Sequence, residues 1–218
     1  MSVSSTGSKG EPQFESTGNA PTFAADLTAT SDYAALVGNR IAGTSAERLA
    51  FDDWPGLAWH ETDTDLEYEM TASGWRLVTR PHCVLGLTAN QALGTVAAAV
   101  AWDSEVSDPF GMHANVPNPS RITAPAAGLY EVSAYVFNTN TAGLGQVYGR
   151  KNGTDNITGS LDRDNSPGVS FALQSTFTVQ LAVGDYVEVM VLHSTATGAI
   201  EGGILMSGAR VSVKRIGA

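Results

Sequence analysis

From Gly128 to Asn138 the chain alternates without a break. Tyr130, Val132, Ala134 and Val136 fall on one face, and Leu129, Glu131, Ser133, Tyr135 and Phe137 on the other. A repeat of two residues belongs to a strand with one face against a core. Residues 169–181 repeat the pattern, with Val169, Phe171, Leu173, Phe177, Val179 and Leu181 opposite Ser170, Gln174, Thr176 and Gln180. Residues 185–192 and 209–216 alternate as well. The apolar run 95–102 is too short, and too β-branched at its ends, for a helix. Between two β-prone runs lies Lys151-Asn-Gly-Thr154, and Asn-Gly supplies the two positive φ angles of a type I′ hairpin turn. Strands at short spacing, each with one apolar face, predict an antiparallel sandwich or jelly roll over residues 81–218.

Upstream the pattern changes. Residues 57–60, 66–70 and 75–78 read as short strands, separated by the turn sequences Glu61-Thr-Asp-Thr-Asp65 and Thr71-Ala-Ser-Gly74. The one short helix is expected near 44–49, with Thr44 as N-cap and Glu47 three residues on. Residues 26–80 therefore form a small β neck. Residues 1–25, rich in Ser, Thr, Gly and Pro, read as an extended or disordered arm. Phe14 and Phe23 are its candidate anchors on a larger partner.

Charge divides the chain at the same place. Residues 1–78 hold twelve acids against four bases, a net of −8, and the other 140 hold ten against eight, a net of −2. The total of −10 argues against nucleic acid or an anionic membrane as partner. No apolar run approaches a membrane span, and the polar start lacks a signal-peptide core. The single cysteine, Cys83, excludes an intrachain disulfide and a thiolate metal cluster.

Candidate chemistry is sparse. His60, His82, His113 and His193 are scattered, no Gly-x-Ser-x-Gly elbow is present, and no two histidines share the i,i+4 spacing of a zinc protease. Glu61, Asp63 and Asp65 alternate, so on a strand they would share one face and gather oxygens for a hard cation; as a turn they are a solvated acidic loop. Neither enzyme activity nor a cofactor is expected. Asp103, Asp108 and His113 flank Trp102 and Phe110 in a loop rich in Pro and Asn, the candidate ligand-facing loop.

Residues 121–133 (Arg-Ile-Thr-Ala-Pro-Ala-Ala-Gly-Leu-Tyr-Glu-Val-Ser), Lys151-Asn-Gly-Thr154, residues 181–189 (Leu-Ala-Val-Gly-Asp-Tyr-Val-Glu-Val) and the closing run 207–216 resemble the C1q/TNF-like jelly-roll superfamily. The form they resemble is found at the ends of bacteriophage structural proteins. Residues 56–64, followed by Gly74-Trp75, resemble a small β element of phage tail and fibre proteins. A collagen stalk and a secretory signal, which animal C1q relatives carry, are missing. The resemblance implies a virion protein assembled in the host cytoplasm and exposed on the particle. Its jelly-roll head would be a homotrimer with Tyr135 and Phe137 at the interface. Its work would be adhesion to a host-surface polysaccharide, with the arm held by other virion proteins. A capsid decoration or head-fibre protein is the alternative, and a polysaccharide depolymerase a third.

Overall fold

A computed structural model describes residues 3–6, 12–14, 40–51, 54–138, 143–166, 170–194, 198–203 and 208–217. Two compact units divide the chain, Met1–Thr79 and Arg80–Ala218.

In the first unit β1 (Val3–Thr6) and β2 (Pro12–Phe14) pair antiparallel, a short ladder within the stretch expected as an extended or disordered arm. Val3-Ser-Ser-Thr6 and Pro12-Gln-Phe14 are too short to give a hydrophobic period by which a sequence reading would find them. Phe14 ends β2; Phe23 lies outside the described residues. Next come β3 (Arg40–Gly43), α1 (Ser45–Ala50), β4 (Ala58–Glu61), β5 (Glu67–Thr71) and β6 (Gly74–Leu77), in sheet order β3-β4-β5-β6. The β3–β4 pair is parallel and the others antiparallel. A helix of six residues cannot sustain itself in water. The full capping box of Thr44 and Glu47 closes its first turn. Leu57, Trp59, Leu66 and Met70 form the buried apolar centre of this unit.

The second unit contains β7 (His82–Gly86), β8 (Gln91–Ala92), β9 (Ala98–Ala99), β10 (Ser104–Ser107), β11 (Ile122–Thr123), β12 (Gly128–Asn138), β13 (Gly143–Lys151), β14 (Asp155–Asn156), β15 (Asp162–Ser166), β16 (Phe171–Leu181), β17 (Tyr186–His193), β18 (Ala199–Ile200) and β19 (Arg210–Gly217). One sheet runs β10-β7-β19-β12-β16, with β18 and β8 extending the far end of β12. In the other, β17 lies between β13 and the short β9 and β11, and β13 also pairs β14 and β15. Thus β7, β19, β12 and β16 face β11, β17, β13 and β15. This is the strand order of a jelly roll, the all-β fold that the residue pattern predicts.

The core fills the space between the sheets. Tyr130, Val132, Ala134 and Val136 point into it from β12, and Phe171, Leu173, Phe177, Val179 and Leu181 from β16, the faces the alternation assigns. Val169 lies outside the described residues. Opposite β16, the inner face of β13 presents Gly145 and Gly149. A Cβ at Gly145 would overlap the Phe171 ring, and one at Gly149 the Phe177 ring. The small residues of one sheet are the seats for the large residues of the other.

One strand departs from its pattern. Residues 187–191 of β17 are all buried rather than alternating. On its outer side Glu188 is covered by Ser120, whose hydroxyl donates at 2.8 Å, and by Arg150, at 3.1 Å from Nε and 2.9 Å from Nη2. Partners from other elements, invisible to a local period, close that face.

Candidate functional site

The loop from Trp102 to Arg121 is the first place to look for ligand chemistry, and its geometry is that of a buckle. Trp102 is wholly buried in the core, and its backbone N–H donates to Pro119 O at 3.0 Å. Its indole N–H is also buried and has no hydrogen-bond partner among the described residues. The Trp102 ring therefore offers no stacking face, which corrects the expectation placed on it. Burial follows from position: Trp102 ends an apolar run that β9 carries along the edge of β17, with Val100 buried two residues before it.

Asp103 accepts from the Thr88 backbone N–H and hydroxyl, both at 2.6 Å, and so ties down the 88–90 turn. The Asp108 carboxylate accepts from the backbone N–H groups of Met112, at 2.9 Å, and His113, at 2.8 Å. Phe110 is half-buried against the core and meets His82 edge-on, with centroids 5.8 Å apart. The His113 side chain is buried, with Nδ1 3.0 Å from Glu105 Oε1 and Nε2 3.0 Å from Pro119 O. The Asp108 carboxylate and the His113 ring are thus engaged in holding the loop's own shape, and Asp103 in holding its neighbour at Thr88. His113, like Trp102, faces inward rather than towards a ligand.

The acidic run of the first unit disperses in the same way. Residues 62–64 form a turn and Asp65 takes φ +57°, so the carboxylates do not share a strand face. Glu61 is buried and accepts from Arg48 Nε at 2.8 Å and from the Thr64 hydroxyl. Asp63 accepts from the Ser45 backbone N–H at 3.0 Å and from its hydroxyl at 2.7 Å, and the Ser45 hydroxyl bond holds this carboxyl below the usual range. Asp65 lies 3.5 Å from His60 Nε2. The Arg48 guanidinium also sits over the Tyr68 ring, 3.9 Å from its centroid, and 5.5 Å from that of Trp75. The acidic turn and the Gly74-Trp75 pair belong to one structural knot around Arg48.

Two of the resemblance motifs also meet. Asn152 and Gly153 take φ +50° and +76°, and Thr154 N–H donates to Lys151 O at 3.2 Å, as the Asn-Gly turn predicts. The Asn152 amide then donates to Asp185 Oδ1 at 2.8 Å, and its carbonyl accepts from Tyr186 N–H at 3.0 Å. Lys151 Nζ lies 2.7 Å from Asp185 Oδ2, which also accepts from Ala182 N–H at 2.9 Å. The Lys151 ammonium, the Ala182 N–H and the Asn152 amide together pull the Asp185 carboxyl down to about 2.

A carboxyl lower in the folded than in the unfolded chain adds stability above its unfolded value near 4. That stability is lost as pH falls through about 2. Asp185→Asn should therefore lower stability at neutral pH by about 1–2 kcal/mol, a figure reduced for the partial exposure of the site. The gap to the parent chain should close between pH 4 and pH 2. Urea unfolding of both chains across that range measures it; a gap independent of pH would show that the charge contributes nothing.

Cys83 is buried, and burial pushes its thiol far above the ordinary range, so it is a small apolar side chain here. Tyr135 and Phe137 point outward from β12 and remain half-buried. Tyr135 is flanked by Gln174 and Arg210, and Phe137 by Ala172. Along the same surface β16 presents Ala172, Gln174, Thr176, Thr178 and Gln180, all exposed and none charged. Lys214 and Glu131 form an ion pair on this surface at 2.7 Å. The sequence reading passed over β13, whose outward Gln146 and Tyr148 line a groove with residues 156–161. The alternation that marks them begins at Gly145 and is obscured by the inward glycines.

No known family profile and no curated protein matches the chain. Among solved structures it is similar to murine APRIL, at 10% identity over 63% of this chain and 100% of that one, with a TM-score of 0.49. It is also similar to the globular domain of zebrafish complement 1qA protein, at 12% identity, 62% and 96% coverage and a TM-score of 0.46. Eiger TNF from S. frugiperda gives 9% identity, 63% and 92% coverage and a TM-score of 0.46. The jelly-roll assignment rests on the strand order of the chain itself.

Proposed function

We propose that this protein is a structural component of a bacteriophage virion, a homotrimeric adhesin of the tail or fibre tip. Its jelly-roll unit meets a host-surface glycan, and residues 1–79 attach it to other virion proteins. The observation that carries this reading is the outer face of the β7-β19-β12-β16 sheet. Tyr135 and Phe137 stand beside an uncharged stripe along β16, a surface suited to a second copy of itself. The net of −2 on residues 79–218 repels an anionic cell wall less than the −8 upstream would.

Sedimentation of the full chain at micromolar concentration should give three times the chain mass, and the paired change Tyr135→Asp with Phe137→Asp should give the chain mass. A parent chain that sediments as a monomer removes the trimer. Antibody labelling of intact phage particles should mark the tail tip or a fibre; label on the capsid shell would replace adhesion with decoration.

A further inference from the structure

We propose that the outer surface of β13 carries a binding groove for a neutral sugar, with Tyr148 as its aromatic floor and Gln146 and Asn156 as its polar contacts. The choice of a glycan rests on the adhesion reading, whereas the groove's location and neutrality come from its own residues.

The groove encloses about 280 Å³ between the outward side chains of Gln146 and Tyr148 and the turn formed by Asn156, Ile157, Ser160 and Leu161. That is near the lower end of small-molecule sites and matches one or two pyranose rings. Leu161 is more than half exposed and Ile157 half-buried, so one wall is aliphatic. Among the described residues, no side-chain partner engages Gln146, Tyr148 or Asn156. Two amides and a phenol thus present free donors and acceptors beside an aromatic ring. A pyranose has the complementary make-up, hydroxyls around its rim and a flat C–H face.

The wall is built in advance. Ser160 is buried; its hydroxyl donates to Ile157 O at 2.6 Å and accepts from Gly149 N–H at 2.9 Å, and its carbonyl accepts from the Ser175 hydroxyl. Ile157 N–H donates to Gly149 O at 2.9 Å. The turn is pinned to β13 and β16, so little ordering opposes binding.

Charge decides the sugar class. Among the described residues no ionisable side chain lines the groove. The nearest cation along β13, Arg150, is committed to the buried carboxylate of Glu188. Within the groove itself an acidic sugar would find no counter-charge; Arg163 of β15, the cross-strand partner of Gln146, is not among the lining residues. The groove also opens on the sheet opposite Tyr135 and Phe137, so a trimer through that face leaves it free.

Saturation-transfer NMR on the full chain with D-glucose, D-galactose, D-mannose, L-rhamnose and N-acetyl-D-glucosamine tests this. At least one should bind with a Kd of about 1 mM or weaker, and N-acetylneuraminic acid should not. Gln146→Ala and Asn156→Ala should each weaken that binding roughly tenfold, Tyr148→Ala should abolish it, and Val96→Ala should leave it unchanged. Failure of all the neutral sugars at tens of millimolar overturns the proposal, as does binding that survives in the Gln146 and Asn156 variants or a preference for the acidic sugar. Labelled full chain on host cells separates the two readings. Cells bound equally by the parent and Tyr148→Ala overturn the groove and leave adhesion standing. Sugar bound at the groove by a chain that ignores cells supports the groove and removes adhesion.

Discussion

Phe177→Ala should destabilise the jelly-roll unit by about 3–5 kcal/mol, the cost of deleting a packed aromatic ring and leaving its cavity. The ring reaches across the sandwich from β16 to a seat that exists because residue 149 of β13 is glycine. The converse change, Gly149→Ala, puts a methyl into the space of the Phe177 ring and should cost about 1–3 kcal/mol by overpacking. Since each change acts on the same space, the double variant should lose less than the two single losses together. Urea unfolding at fixed protein concentration measures all four chains. Strict additivity would show that Phe177 does not occupy the Gly149 seat.

Arg48→Ala should cost the first unit about 3–5 kcal/mol, because it leaves the buried Glu61 carboxylate with no cation. It also removes the guanidinium that joins α1 to Tyr68 and Trp75. The paired change Arg48→Met with Glu61→Leu should restore most of the loss, since it removes both charges and keeps apolar volume. Three of the four tryptophans, Trp54, Trp59 and Trp75, lie in this unit, so tryptophan fluorescence during denaturation reports it. If Arg48→Ala unfolds at the parent's midpoint, the Arg48–Glu61 pair does not hold this unit together.

How far the fold was legible depends on where the information lies. The inner faces of β12 and β16 were legible residue by residue, because an uninterrupted period of two records which side meets the core. The helix start was legible through Thr44 and Glu47, and the hairpin through Asn152-Gly153, since both signals act over three or four residues. Trp102 misled. An aromatic among Asp and Asn has the composition of a ligand loop, and only the pairing of β9 with β17 shows that it enters the core. Glu61 misled for a related reason. Its partner Arg48 lies 13 residues away on a helix, so burial of the pair is a tertiary fact. The β13 groove escaped notice because its wall comes from a separate turn, and an alternation interrupted by Gly145 and Gly149 reads as weak.

β19 is the last strand of the sandwich in sequence, yet it occupies the interior of its sheet, hydrogen-bonded to β7 on one side and β12 on the other. A ribosome therefore delivers both neighbours of this interior strand before the strand itself. While β7 through β17 emerge, the place between β7 and β12 stands empty, and Val211 and Val213 are still missing from the core. Closure then joins segments more than a hundred residues apart, a slow class of contact to form. Folding of this unit is consequently complete only after β19 has been delivered. A nascent chain stopped before Arg210 exposes two unpaired strand flanks, the kind of intermediate that chaperones hold.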